Sequence, residues 1–389
     1  MQRVEGGICA VPGVRACGVR QGKYGLALIA ASGAAAGMFT TNKVRAAPLD
    51  VTAEHLAAGG HLDGVIANSG CANAYTGPRG LEDARAMARL LAGFLGTDEK
   101  KIAVASTGVI GRYMDLPKIE SLFEQAKVRL RSVGEASTEA ERAIMTTDTR
   151  VKEIAVEHEG LRVAGIVKGA GMIEPNVATM LCFLYTDVDF PAQTLHACLA
   201  DAVKDSFNML TVDGDTSTND TVLLTATGKA KGSEADFREA LRYVCMELAR
   251  MMARDGEGAS KYFETVVSGA LNEEDARLAA KAVARSSLVK TAVYGADPNW
   301  GRIICAVGYS GAEMDPTKIT LGLEGKSGLK VSLVEKGRIV DGVLDQAKEI
   351  MKGDTITINI DLALGNARAR GFGCDLTHEY VNVNANYTT

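Results

Sequence analysis

A loop of Gly, Pro and Asn runs straight into an unbroken apolar stretch, and this junction constrains the fold of the chain more than any other feature. It reads Lys168-Gly-Ala-Gly-Met-Ile-Glu-Pro-Asn-Val-Ala178-Thr179, followed at once by the apolar run Met180 to Tyr185. An apolar run bounded by turn formers predicts a strand buried in the interior. Such a strand needs other elements to cover it, and the surrounding pattern supplies them.

Upstream, Leu81, Ala84, Met87, Leu91 and Phe94 recur at helical spacing and predict a helix over Gly80 to Leu95. A short strand, Ile102 to Ala105, then delivers Ser106-Thr107-Gly108, and a further strand, Leu161 to Val167, feeds the loop. Downstream, strand 180–189 leads to a helix from Pro191 with Leu195, Cys198, Leu199, Ala202 and Val203 on one face. Strands near 207–212 and 221–227 flank the polar loop Asp213 to Asp220. Ser233 and Asp236 open a helix to 254 whose buried face reads Phe237, Leu241, Val244, Leu248, Met251. Glu257 sits between Gly256 and Gly258, ahead of strand 262–268, and a helix runs from Asn272 to about Ser286. Alternation over 318–322 and 355–360 predicts further strands, and Tyr380 to Tyr387 reads as strand too. The expectation is a mixed α/β (α+β) protein with strands and helices in layers. No linker is marked by composition; the expected divisions are 1–190, 191–275 and 276–389.

Charge and cysteine usage narrow the function classes. A net charge of −5 with no basic block argues against a nucleic-acid partner. No stretch has the length and apolarity of a membrane span or the charged start and apolar core of a signal peptide, so a cytoplasmic location is expected. The eight cysteines show no C-x-x-C spacing and read mostly as small buried hydrophobes, Cys182 among them. Gly169-Ala-Gly171 begins a dinucleotide fingerprint, but Glu174 stands where its third Gly should be. His378-Glu379 opens a zinc helix motif that Asn382 breaks. Loop 213–220 lacks the Gly and the closing Glu of a calcium loop. No metal or organic cofactor is expected.

Thr179 offers a chemistry of its own. At a loop-to-strand junction a threonine hydroxyl can attack the preceding carbonyl, here that of Ala178, and water can then release a new N-terminus. The freed residue would carry a hydroxyl and an α-amine together, a nucleophile with its own base. An α-amine titrates near pH ~8, which suits general-base work. Strand propensity alone also accounts for a β-branched residue at this place.

The segment K-G-A-G-M-I-x-P-x-x-A-T-M-L resembles the signature of the ornithine acetyltransferase (glutamate N-acetyltransferase) family of arginine biosynthesis. Further matches in order are Thr107-Gly108 in S-T-G-V-I-G, Thr146-Thr147-Asp148-Thr149, Asp255-Gly256-Glu257-Gly258 and the ending Asn384-Ala-Asn-Tyr-Thr-Thr389. The resemblance implies a layered αββα-type core of the ornithine acetyltransferase/aminopeptidase fold with two smaller α/β domains. It implies self-cleavage between Ala178 and Thr179, the pieces staying together as an α2β2 heterotetramer. The implied activity moves acetyl from N-acetylornithine to glutamate through acetyl-Thr179, with acetyl-coenzyme A as a second donor in some members. Thr107 and Gly108 would form the oxyanion hole; Thr146, Lys168, Thr179, Glu257, Asn384 and Thr389 would contact substrate. On the residues alone Thr107-Gly108 also reads as a tight turn, Lys168 and Glu257 as solvated charges, and the tail as loose. The alternative activity is a self-cleaving aminopeptidase or amidase of the related fold, in which water takes the acyl group.

Overall fold

The computed structural model describes residues 1–174 and 180–386. Pro175 to Thr179 and Tyr387 to Thr389 lie outside the described residues. The described residues fold as two compact units, one of residues 1–208 with 215–252, the other of 209–214 with 253–386. The division expected near 190 falls inside the first unit, and the one near 275 inside a helix of the second.

The first unit is built on nine strands: β1 (Gln2–Arg3), β2 (Arg15–Gln21), β3 (Tyr24–Phe39), β4 (His61–Ser69), β5 (Ile102–Ser106), β6 (Glu153–His158), β7 (Leu161–Lys168), β8 (Leu181–Val188) and β9 (Thr221–Ala230). They form one sheet in the order β1-β6-β7-β8-β9-β3-β4-β5, with β2 also on β3. Its helices are α1 (Ala47–Gly59), α2 (Gly77–Leu95), α3 (Leu116–Lys127), α4 (Gly134–Ile144), α5 (Ala192–Asp205) and α6 (Glu234–Arg254) up to Met252.

Successive side chains of a strand point to opposite faces, and β3 is apolar on both. Leu26 and Leu28 join Met87 and Leu91 of α2 and Leu122 of α3 in one core. Ala27 and Ile29 join Ala140 and Ile144 of α4, with Phe183 and Tyr185 of β8, in another. The result is the expected layering of sheet and helices. Helix α4 comes so close to β2 that a Cβ on Gly18 would lie 1.9 Å from the Glu139 carbonyl oxygen; only glycine fits there. Strand β8 is the buried strand the apolar run predicts, antiparallel to β7, parallel to β9 and covered along its whole length. Each fully buried Leu or Phe in it contributes roughly 1.5–3 kcal/mol of transfer free energy.

Three local expectations change. Residues 207–212 form no strand: a 3-10 turn, Phe207–Met209, buries Phe207 and Met209 directly. On α6 the buried face carries Met252 in place of Met251, because the 3.6-residue turn drifts over so long a helix. The tail is a helix, α11 (His378–Asn386), as far as it is described. Its start is capped by the Thr377 hydroxyl, which accepts the Glu379 N–H at 3.1 Å. Asn384 and Asn386 donate back to the carbonyls of Tyr380 and Asn382, one turn earlier in the helix.

The second unit holds β10 (Tyr262–Ala270), β11 (Thr320–Gly325), β12 (Lys330–Glu335), β13 (Arg338–Ile339), β14 (Thr355–Asp361) and β15 (Ala367–Cys374), paired in the order β13-β12-β11-β14-β10-β15. Besides α11, helices α7 (Glu273–Arg285), α8 (Ser287–Tyr294), α9 (Trp300–Gly308) and α10 (Leu344–Met351) accompany them. Ile356, Ile358 and Ile360 are buried while the residues between them are half-buried, the alternation read from the sequence. No described helix is long and apolar enough to cross a membrane.

Candidate active site

Strand β7 ends on Lys168, a buried residue whose ammonium donates to the Thr107 hydroxyl at 3.2 Å and to the Thr146 hydroxyl at 3.0 Å. Thr107 directly follows β5, and Thr146 lies in the loop after α4. The fold thus brings together three residues singled out in the sequence from three separate elements. A hydroxyl that accepts from an ammonium keeps its own proton to donate elsewhere.

The register of β8 ties this group to the loop-to-strand junction. Lys168 pairs with Leu181, and Leu181 also pairs with Thr221. The Thr221 N–H donates to the Met180 carbonyl at 2.8 Å, so the residue after Thr179 is fixed in the sheet. Thr179 itself, Ala178 and Thr389 lie outside the described residues.

The turn after β5 is held by buried polar side chains. Thr107 N–H donates to the Asn68 carbonyl at 3.0 Å. The Asn68 side chain accepts from the Ser106 hydroxyl at 2.6 Å and donates to the Cys71 carbonyl at 2.9 Å. Asn219 donates to the carbonyls of Ala72 and Ser106, at 2.6 and 2.9 Å. Gly108 has φ +127°, and a Cβ there would lie 2.5 Å from the Gly70 carbonyl carbon, so the position requires glycine. Asn68 and Asn219 escape a sequence reading, since an isolated Asn carries no motif, and Ser106 was read only as part of S-T-G-V-I-G, without a task.

Behind Lys168 lies Asp148, whose side chain is fully buried. One of its oxygens accepts the Gly169 N–H at 2.6 Å and meets the Lys152 ammonium at 2.9 Å; the other accepts the Thr146 N–H at 3.0 Å. Burial alone would push this carboxyl up, but the Lys168 and Lys152 charges and its hydrogen bonds outweigh burial and hold it down at about 2. Glu141 goes the other way. It is fully buried, one oxygen accepts the Lys152 N–H, and burial pushes its carboxyl up to about 9. It is therefore neutral at pH 7. The motif Thr146-Thr147-Asp148-Thr149 had marked Asp148 in the sequence without giving it a task.

In the second unit Glu257 and Asn384 meet. The Asn384 amide donates to the Glu257 carboxylate at 2.8 Å, and the Thr377 hydroxyl ties the start of α11 to the Gly258 carbonyl at 2.6 Å. Cys182 is fully buried in β8, where burial raises its thiol well above the ordinary range, in keeping with a packing role.

A model of the ArgJ family matches residues 12–389 of the chain. A glutamate N-acetyltransferase of Methanothermobacter thermautotrophicus is 51% identical over 396 residues, covering 99% of this chain and 98% of its own. An Archaeoglobus fulgidus protein named arginine biosynthesis bifunctional protein ArgJ is 49% identical over 384 residues, covering 98% of this chain and 100% of its own. Among solved structures, the arginine biosynthesis bifunctional protein argJ of Bacillus halodurans is similar with a TM-score of 0.50 at 39% identity; the match covers 53% of this chain and 98% of that one.

Proposed function

The chain belongs to the ArgJ family, and from that premise we propose that it is a glutamate N-acetyltransferase of arginine biosynthesis acting through Thr179. Relatives about half identical over their full length carry that activity in their names. The acetyl donor is N-acetylornithine and the acceptor glutamate.

The protein first cuts itself. The Thr179 hydroxyl attacks the Ala178 carbonyl, and the acyl group shifts from nitrogen to oxygen and so frees the α-amine of Thr179. Water then hydrolyses the ester, which releases the Thr179 hydroxyl and leaves Ala178 with a carboxylate. In turnover this amine takes the hydroxyl proton as the oxygen attacks the acetyl carbonyl. The oxyanion is met by the Thr107 hydroxyl and the Gly108 N–H, the Thr107 N–H being engaged by Asn68. Collapse expels ornithine, which takes the proton, and leaves an acetyl ester on Thr179. The amine of glutamate then attacks that ester and restores the enzyme. Neither metal nor organic cofactor enters these steps. Lys168 and Thr146 hold the substrate's carboxylate side; Glu257, Asn384 and Thr389 serve its amine and backbone groups. The two pieces remain associated as an α2β2 assembly.

The observation that carries this reading is the Lys168 ammonium between the Thr107 and Thr146 hydroxyls, in register with the strand that begins just after Thr179. Size adds support. The Bacillus halodurans chain spans 53% of this one, close to the 211 of 389 residues from Thr179 onward. The test is mass analysis after mixing the protein with N-acetylornithine alone. One acetyl group on the piece beginning at Thr179 is the expected result, and its absence in active enzyme defeats the covalent route. Release of free thiol from acetyl-coenzyme A with glutamate decides whether a second donor is used.

A further inference from the structure

We propose that Asp148 is a positioning residue of the acyl-transfer site, its two buried oxygens tying the Thr146 and Gly169 N–H groups together so that the Lys168 ammonium meets the hydroxyls of both Thr107 and Thr146. The inference rests on the acetyl-transfer reading above and adds to it a residue that acts through its neighbours.

Residues 145–152 form no helix or strand, so strand pairing does not place Thr146. The far end of this loop is anchored at Lys152, whose backbone N–H donates to the Glu141 carboxyl and whose carbonyl accepts the Val167 N–H at 3.0 Å. At the near end Asp148 accepts the Thr146 N–H, and its other oxygen accepts the N–H of Gly169, the residue after Lys168. One carboxylate therefore spans the loop that supplies a hydroxyl and the strand end that supplies the ammonium. An ionised carboxylate is acceptor-only and can serve both N–H groups and the Lys152 ammonium at once. An asparagine cannot: one of its two terminal atoms is an NH2 that would face an N–H. Loss of the clamp lets Thr146 drift from Lys168, and misplacement of about 1 Å typically costs about 100-fold in rate.

The experiment uses the full-length protein, with N-acetylornithine and glutamate as substrates and a melting curve for every variant. Asp148→Asn is expected to lower kcat/KM about 100-fold at temperatures where it is folded. The alkaline limb of its pH profile is expected to move to lower pH, because the ammonium of Lys168 has lost a neighbouring anion. The other titratable groups around Asp148 are Lys152 and Glu141, with Glu153 beyond them. Glu141→Gln, which leaves both clamped N–H groups in place, is expected to keep wild-type kcat/KM. An Asp148→Asn protein as active as wild type overturns the proposal, and so does a loss of activity with the pH profile unmoved. Should that variant not fold, Asp148→Glu is read instead: it keeps the anion, and is expected to lower kcat with the alkaline limb in place. Failure of both to fold assigns Asp148 to folding and overturns the proposal. Wild-type protein that transfers no acetyl group removes the acetyl-transfer reading itself, before any variant is compared.

Discussion

The Lys168 ammonium donates to the Thr107 hydroxyl across 3.2 Å, joining the last residue of β7 to the first residue past β5. The contact gives Thr107 a direction. Its oxygen is occupied by a charged donor, so its proton points to whatever stands on the other side, and a charged partner strengthens the hydroxyl as a donor.

Thr107→Ala is expected to lower kcat and kcat/KM together by about 100-fold or more, with KM little changed, as for a lost transition-state donor. Steady-state kinetics checks this. A rise in KM at constant kcat would make Thr107 a binder of ground-state substrate.

Gly108→Ala should abolish activity and lower the melting temperature, since its Cβ would meet the Gly70 backbone at 2.5 Å with φ at +127°. A variant that melts and works like wild type would show that the turn yields more easily than its packing indicates.

Purified protein should run as two pieces, of 178 and 211 residues, that separate only on denaturation, and Thr179→Ala should run as one inactive chain of 389. Intact mass reads the outcome. A single uncut chain in active wild-type protein contradicts self-cleavage.

Glu141 gives a stability dependence on pH with a definite sign. Its folded carboxyl, at about 9, lies above the ordinary 4.5, so between these values the folded state binds the extra proton and stability falls as pH rises. Glu141→Gln removes that titration. Its stability relative to wild type should grow from about pH 5 to pH 9, by at most about 1.4 kcal/mol per pH unit. Asp148, held at about 2, acts in the opposite window: its contribution is present above the ordinary 3.8 and is lost as pH falls through about 2. Denaturant melts across pH measure both. A gap between Glu141→Gln and wild type that stays constant with pH would show that Glu141 ionises normally.

Glu257→Gln is expected to harm N-acetylornithine more than an N-acetyl amino acid without a terminal amine, because a carboxylate is the natural partner of that amine. Equal losses on both donors, with unchanged melting temperature, would mean that Glu257 does not read the amine.

Buried strands, helix faces and the expectation of layered α/β architecture were legible in the sequence because hydrophobic periodicity is written locally, as β8 and α5 illustrate. The motif segments were legible too: Thr107, Thr146 and Lys168 were named through the family resemblance those segments carry, and the fold joins them through two hydrogen bonds. Where local signals competed, the sequence misled. The alternating tail from Tyr380 became a helix, with the Thr377 hydroxyl capping its start.

What the sequence by itself determined is therefore which stretches are buried and which residue types are available for acyl transfer, since both follow from neighbours along the chain. Only tertiary structure decided that Asp148 stays ionised, at about 2, while Glu141, seven residues earlier, keeps its proton to about 9. The two are near-identical carboxylic acids in one buried cluster. Their difference comes from the company each keeps: besides its near neighbours Thr146 and Lys152, Asp148 has the Lys168 ammonium and the Gly169 N–H, which lie far along the chain at the end of β7, whereas burial dominates at Glu141. Charge pairing of that kind exists only after β7 and the loop after α4 have packed, because desolvation and Coulomb energies depend on distance in space and not on spacing along the chain.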